Sequence, residues 1–395
     1  MIRQHAWRVV PREDLRVAIA GGGTGGHLFP ALAVAEAVRA RRPGASVLFM
    51  GSTRGMEAGS LLGDGIERVL LHSPRWTGGA LGLPMLGLRV VRALSEAHAA
   101  LKDFDPHAVV GAGGYASVAP AVAAKVLGIP VVLLEQNVIP GRANRLLSRL
   151  ADEVHTQFAE SVERFPESAR VRVTGNPVRT GILAAAARRR VRRMDRAFTL
   201  LVMGGSQGAQ SINHALWEAL PRLGAAIPTM RVYHCAGERD EDHAKARLFA
   251  SGLAGRTWGF CNIIHELYAE ADLVVSRAGA TSLSERAAFG LPSILVPYPH
   301  ARDGHQDANA RVLERRGACS VIDDSELDGE RFAEVVLNLA FDPVKRVQMG
   351  AATLASAMPD AASVIARRVE MLAGFAAPER VVTPAAAEAI ARRAA

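Results

Sequence analysis

The 395-residue chain has little cysteine, few aromatic residues and no long unbroken apolar run, and each shortage removes a class of function. Three cysteines, Cys235, Cys261 and Cys319, stand far apart with no C-x-x-C pair. That spacing argues against a disulfide framework and a thiolate zinc site, and it predicts reduced thiols in a cytoplasmic protein. Aromatic residues make up 5% of the chain. A net charge of +8 and a pI near 10 raise nucleic acid, membrane surfaces and anionic substrates as partners. Without aromatics interleaved among the basic residues there is no stacking surface for bases, so no nucleic acid is expected. The most apolar long stretch, Ala116–Leu134, carries Lys125 and a Gly128-Ile129-Pro130 break. It reads as helix, turn and strand, not as a bilayer span. The first apolar run leads straight into a glycine turn, so the N-terminus does not read as a signal peptide.

What the chain has is length and apolar content: 49% of residues are hydrophobic and 22% charged, enough for two large cores. From Leu15 onward, short β-rich runs alternate with helical stretches. Strands are expected near 46–50, 68–71, 108–111, 131–134, 153–156 and 171–173. Such alternation predicts an α/β fold with a parallel sheet covered on both faces. After an Ala/Arg stretch, Ala184–Arg193, the pattern begins again with a strand at Phe198–Met203 and a second glycine turn, Gly204–Ala209. Further strands are expected near 230–235, 257–260, 273–276, 293–296 and 318–322, and Asp342-Pro343 opens a helical C-terminal region. Two doubly wound, Rossmann-like units facing across a cleft follow: 14–178 and 179–357. A helix at about 358–374 is expected to pack back on the first unit, and 376–395 to form a loosely ordered tail.

The first unit is organised around Gly21–Pro30, Gly-Gly-Gly-Thr-Gly-Gly-His-Leu-Phe-Pro, which follows a buried strand and opens a helix expected from Leu28. A glycine turn at a helix N-terminus lets backbone approach an anion, and the free N–H groups and helix dipole favour phosphate. Gly21, Gly23 and Gly26 also satisfy the dinucleotide fingerprint, which wants an acid at the end of the second strand. Here that strand runs into Gly51, Ser52 and Thr53, and the first acid is Glu57, so a nicotinamide cofactor is not expected.

In the second unit Ser276–Glu285 follows an apolar strand, turns at Gly279 and starts a helix with hydroxyl-bearing candidates for its cap. A diphosphate against that helix end would place a ribose within reach of Glu285, whose other reading is a solvated residue favoured by the dipole. Asp103-Phe104-Asp105 spells the D-x-D of metal-dependent sugar transfer. It precedes the strand at 108–111, away from the strand ends where α/β ligands bind, so no metal is expected there. Between Arg75 and Arg92, the residues Trp76, Leu81, Leu83, Met85, Leu86, Leu88, Val90 and Val91 form an apolar run with arginines around it. That is the composition of an interfacial membrane contact, or of a core helix with a polar edge.

Seven motifs decide between these readings by their order: Gly21–His27, Gly113-Gly114-Tyr115, Glu135-Gln136-Asn137, Gly175–Arg179, Gly204–Ala209, Arg277–Glu285 and His305-Gln306-x-x-Asn309-Ala310. From about Arg16 to Ala373 the chain resembles the cytoplasmic N-acetylglucosaminyltransferases of peptidoglycan synthesis, a branch of glycosyltransferase family 28. The resemblance implies a GT-B fold and an inverting enzyme that moves GlcNAc from UDP-GlcNAc to the C4 hydroxyl of undecaprenyl-pyrophosphoryl-MurNAc-pentapeptide. It also implies no obligatory cofactor, and a peripheral place on the cytoplasmic face of an anionic inner membrane. Its donor contacts map onto Thr24, Gly25, Gly26, Asn137, Arg179, Ser206, the backbone at Cys261, Ala280, Thr281, Ser282, Leu283, Ser284, Glu285 and Gln306. Tyr115 and Glu135 fall on the acceptor side. The chain departs from the family at Leu134, where a histidine is usual, and at Phe260-Cys261-Asn262, where an isoleucine is usual.

A sugar hydroxyl is a poor nucleophile at neutral pH, and His27 has a pKa suited to taking its proton. A hydrogen bond to the sugar, or a helix cap, is the plainer role for that residue. Glycine loops, helix ends and Arg179 can stabilise the leaving diphosphate without metal. The rivals are a UDP-GlcNAc 2-epimerase on the same scaffold and a non-catalytic nucleotide-sugar or lipid-binding membrane adaptor.

Overall fold

A computed structural model describes residues 14–22, 25–52, 66–72, 82–189, 197–205 and 208–377, with only the backbone for 82–88. Two all-parallel sheets form two units. The first sheet contains β1 (Arg16–Ala20), β2 (Ser46–Ser52), β3 (Ile66–Leu71), β4 (Ala108–Gly111), β5 (Val131–Glu135), β6 (Glu153–Thr156) and β7 (Val171–Val173), in the order 3-2-1-4-5-6-7. The second contains β8 (Thr199–Met203), β9 (Arg231–Cys235), β10 (Ala254–Trp258), β11 (Leu273–Ser276), β12 (Ser293–Leu295) and β13 (Ser320–Val321), in the order 10-9-8-11-12-13. In both, the order reverses beside the first strand, which opens a crevice at the C-terminal strand ends.

The central strands are apolar along their whole length because helices cover both faces. Val17, Ala18, Ile19 and Ala20 are fully buried, as are Leu200, Leu201 and Val202. Helices α1 (Gly25–Arg41), α2 (Gly82–Phe104), α3 (Val118–Val126) and α4 (Arg142–Leu147) belong to the first unit. The second carries α5 (Thr180–Arg188), α6 (Gln210–Ala226), α7 (Glu241–Ser251), α8 (Ile264–Glu270), α9 (Ala280–Phe289), α10 (His305–Arg315), α11 (Gly329–Ala340) and α12 (Pro343–Ala355). Asp342 caps α12 by accepting from the Lys345 N–H at 2.8 Å, with Pro343 in the first turn, where its missing N–H costs nothing.

The last described helix, α13 (Ala361–Leu372), lies on the first unit. Its Ile365, Ala366 and Val369 are fully buried in one core with Val17, Ile19, Val34 and Val38. Arg368 clamps it further: its Nε donates to Glu153 Oε2 at 3.0 Å, and Glu153 also accepts from Arg172 at 3.1 Å. Burial pushes the Glu153 carboxyl up, but its bonds to His155 and Arg368 outweigh this and hold it at about 2. The chain therefore crosses between units twice, at Gly175–Arg179 and at Met358–Asp360. The crossings touch: Gly175 has φ +87°, and a Cβ there would lie 2.4 Å from Met358 Cβ.

Several boundaries differ from the sequence reading, and two of the differences are instructive. α1 begins at Gly25, not Leu28, so the last two glycines of the turn and His27 are already helical. β10 spans Ala254–Trp258, not 257–260, because it is an edge strand whose first three residues are exposed and carry no apolar signal. The expectations for Thr24, Ser206 and the tail beyond 377 lie outside the described residues, as does the run at 73–81.

Candidate active site in the interdomain cleft

The N-termini of α1 and α9 meet across the cleft. Thr281, in the first turn of α9, donates its hydroxyl to the Gly26 carbonyl in the first turn of α1 at 3.0 Å. No side chain caps α9: the hydroxyls proposed for that task bond elsewhere, Thr281 to Gly26 and Ser284 to the Ala280 carbonyl at 3.1 Å. The free N–H groups at Ala280, Thr281 and Ser282 are thus left for an anion, with the dipole of the helix behind them.

His27 stands at this junction, half-buried. Gly113 and Gly114, just past the end of β4, have φ of +102° and +74° and pass flat against its ring. A Cβ on Gly113 would lie 2.8 Å from His27 Nδ1, and one on Gly114 would lie 3.3 Å from Cδ2. The glycine pair is therefore the seat of the imidazole. Burial lowers the pKa of His27, against the opposing upward pulls of the Glu135 carboxylate, the Gln136 side chain and the Ala112 backbone. The ring stays neutral, the form a proton acceptor needs, to lower pH than a free histidine does.

Glu135 ends β5 and is only 3% exposed. Its carboxylate accepts from the Asn137 N–H at 3.0 Å, the Gly141 N–H at 2.9 Å and Asn144 Nδ2 at 2.9 Å. It shapes the loop that follows, and its charge reaches the site through space. Asn137 is tied across the cleft, its Oδ1 accepting from Asn309 Nδ2 at 3.0 Å, while Asn309 Oδ1 accepts from the Val138 N–H at 2.9 Å. Gln306, one turn earlier on α10, accepts from the Ala278 N–H at 3.2 Å and the Tyr298 N–H at 3.0 Å. It thereby fixes the turn that leads into α9.

Glu285 is not a solvated helix residue: it is 5% exposed, one turn into α9, and accepts from Arg179 Nη2 at 2.9 Å. Arg179 in turn lies over the ring of Phe29 from α1, 4.0 Å from its centre. Leu283 is buried between α9 and the loop after β5, in a cluster with Val138 and Phe158. Cys261, half-buried beyond β10, packs with Cys235, Tyr233 and Trp258. At the cleft mouth Tyr115 is half exposed beneath Arg302, and Arg142 donates to Asp303 at 2.9 Å.

The fold thus gathers Gly25, Gly26, His27, Asn137, Arg179, Ala280–Glu285 and Gln306 at one junction, with Tyr115 at its rim. Asp103 and Asp105 are at the opposite end of the first sheet, where Asp105 pairs with Arg16 at 2.5 Å. Among the described residues no cluster of three or more His, Cys, Asp or Glu is placed to hold a metal, and no helix is long and apolar enough to cross a membrane. Sequence reasoning gave no separate role to Gln136, Asn309 or Phe29. The first two sat inside quoted motifs; Phe29 carried no signal beyond its place after the glycine turn.

Comparison with known proteins agrees with this geometry. Residues 17–156 match the glycosyltransferase family 28 N-terminal domain and residues 199–365 the family's C-terminal domain. The chain is 42% identical over 354 residues to the UDP-N-acetylglucosamine--N-acetylmuramyl-(pentapeptide) pyrophosphoryl-undecaprenol N-acetylglucosamine transferase of Geobacter metallireducens, covering 89% of this chain and 97% of that one. The crystal structure of Acinetobacter baumannii MurG superposes with a TM-score of 0.72 at 28% identity, over 91% of this chain and 100% of that chain. A UDP-N-acetylglucosamine 2-epimerase superposes at 0.64 with 14% identity, over 93% and 99% of the two chains, and shares the fold alone. Two facing parallel-sheet units with both domain signatures establish that the chain has the GT-B architecture and belongs to glycosyltransferase family 28.

Proposed function

We propose that the protein transfers N-acetylglucosamine from UDP-N-acetylglucosamine to a lipid-linked, pyrophosphoryl MurNAc-pentapeptide, with inversion at the anomeric carbon. The observation that carries this is the meeting of His27, on its glycine seat at the start of α1, with the uncapped N-terminus of α9, in a chain 42% identical to a transferase of that name. The diphosphate lies against the α9 N-terminus and the ribose hydroxyls reach Glu285. His27 takes the proton of the acceptor hydroxyl as its oxygen bonds to the anomeric carbon. The bond to the diphosphate breaks with its electron pair, and UDP leaves against the helix end and Arg179. These groups provide the positive potential, so no metal is required.

The acceptor's lipid needs a membrane, and α2 offers one support: Val91 is 65% exposed and Val90 37% exposed, next to Arg92. We place the protein on the cytoplasmic face of an anionic membrane through this helix.

Labelled UDP-N-acetylglucosamine and the lipid-linked acceptor, incubated with the protein in EDTA, are expected to give a labelled lipid-linked disaccharide. A 2-epimerised nucleotide sugar formed without acceptor would overturn the reading. His27→Ala is expected to lower kcat by about 10²–10⁴-fold with donor affinity nearly unchanged.

A further inference from the structure

Beside His27 two buried polar atoms have no partner: Nδ1 of its own ring and Oε1 of Gln136. Gln136 follows Glu135 at the end of β5 and is 2% exposed. Its Nε2 donates to the Ala112 carbonyl at 2.9 Å. A carbonyl can only accept, so this bond fixes which end of the amide is nitrogen and turns Oε1 away from Ala112. Oε1 and His27 Nδ1 border the same small space, since a Cβ built on Gly113 would lie 3.4 Å from the one and 2.8 Å from the other. Oε1 needs a donor, and an imidazole can offer one. Gly113 keeps the gap open because it has no Cβ. An acceptor left bare at that depth is destabilising.

We propose that Gln136 is the positioning residue for His27: its Oε1 accepts the Nδ1 proton, fixes the ring in that tautomer, and leaves the lone pair on Nε2 for the acceptor hydroxyl. The inference rests on the reading of His27 as base. When Nε2 takes the hydroxyl proton, the imidazolium keeps its Nδ1–H on Gln136 and the amide stays neutral throughout, so the proton moves once. The upward pull of Gln136 on the His27 pKa agrees with a bond that favours the protonated ring. The arrangement has the logic of a catalytic triad, with a neutral amide in the third position.

The tautomer can be read directly from ring ¹⁵N chemical shifts of histidine-labelled wild-type protein at pH 8, with His27 assigned by its loss in His27→Ala. Nδ1–H with an unprotonated Nε2 is expected; the opposite tautomer in the wild type overturns the proposal. Gln136→Leu is expected to mix the tautomers, to lower kcat by about 10²-fold with little change in donor KM, and to move the acidic limb of the kcat profile to lower pH. Gln136→Glu is expected to move that limb to higher pH, because a carboxylate favours the imidazolium. A tautomer and an acidic limb that stay the same in a folded Gln136→Leu also overturn the proposal. Should that variant not fold, the wild-type spectrum decides alone. Full kcat in His27→Ala would sink the base reading itself and would leave the tautomer result standing.

Discussion

Glu285 is a carboxylate that the fold buries almost completely. Burial raises its pKa above the usual carboxylate range, with Arg179 pulling the other way. A raised folded-state value means that this group favours folding at pH below its unfolded pKa of about 4.3, and that the benefit is lost as pH rises through the folded value. In its ionised form the group has one hydrogen-bond donor, Arg179, and a ribose diol would add two. Glu285→Gln preserves shape and removes the charge. UDP-N-acetylglucosamine affinity is expected to fall by about 1.5–3 kcal/mol, the worth of hydrogen bonds to a charged group, in a calorimetric titration at pH 7.5. Wild-type affinity is expected to weaken as pH drops into the raised range where the carboxyl protonates. Undiminished affinity in a folded Glu285→Gln would take this residue out of the donor site. His27 and Glu285 are legible in the sequence as candidates because residue type and place beside a glycine turn at a helix start point to them. Gln136 and Asn309 are not, because their tasks depend on what the fold sets beside them: Ala112, 24 residues before Gln136, and Asn137, 172 residues before Asn309.

At the scale of elements, the same lesson separates β10 from its neighbours. Central strands announce themselves by continuous apolar runs, whereas β10 at the sheet edge mixes small, polar and apolar residues, so hydrophobicity alone points past it toward Trp258 and Phe260. The start of α1 is hidden for a related reason: glycine is a poor helix former, yet in a first turn its cost is offset by what the exposed N–H groups can bind. Among helices, α2 supports a prediction of its own. Its Val91 is mostly exposed, so a charge there should not disturb the core. Val91→Glu is expected to weaken binding to vesicles of anionic phospholipid in a flotation assay, while activity on a short-chain soluble acceptor and the melting temperature stay unchanged. Equal flotation of variant and wild type would remove this face of α2 from the membrane contact.

For the whole molecule, the two adjacent crossings leave the units joined at one edge and facing along the cleft. Val138 and Phe158 from the first unit share an apolar cluster with Leu283, Leu295 and Val312 from the second, so the units also meet along a packed surface. Ending the chain at Ala357 would remove α13, with Ile365, Ala366 and Val369 from the first core and Arg368 from Glu153. Each buried aliphatic side chain contributes about 1.5–3 kcal/mol and a domain's whole margin is about 5–15 kcal/mol. The shortened protein is therefore expected to lose the cooperative unfolding transition of the first unit, read by calorimetry, while the second unit keeps its own. Two intact transitions would mean that α13 is an accessory to that core.

The return of α13 also sets a schedule. The first unit is begun at Leu15, yet the helix that closes its core is encoded after the entire second unit. At ~5–20 residues per second the ribosome spends about 10–40 s making Thr180 to Asp360 before α13 emerges. During that interval the part of this core that Ile365, Ala366 and Val369 later fill, beside Val34 and Val38, lacks its cover. The domain started first is thus the last to be finished, and a nascent chain stalled within the second unit would present that unsealed face to chaperones.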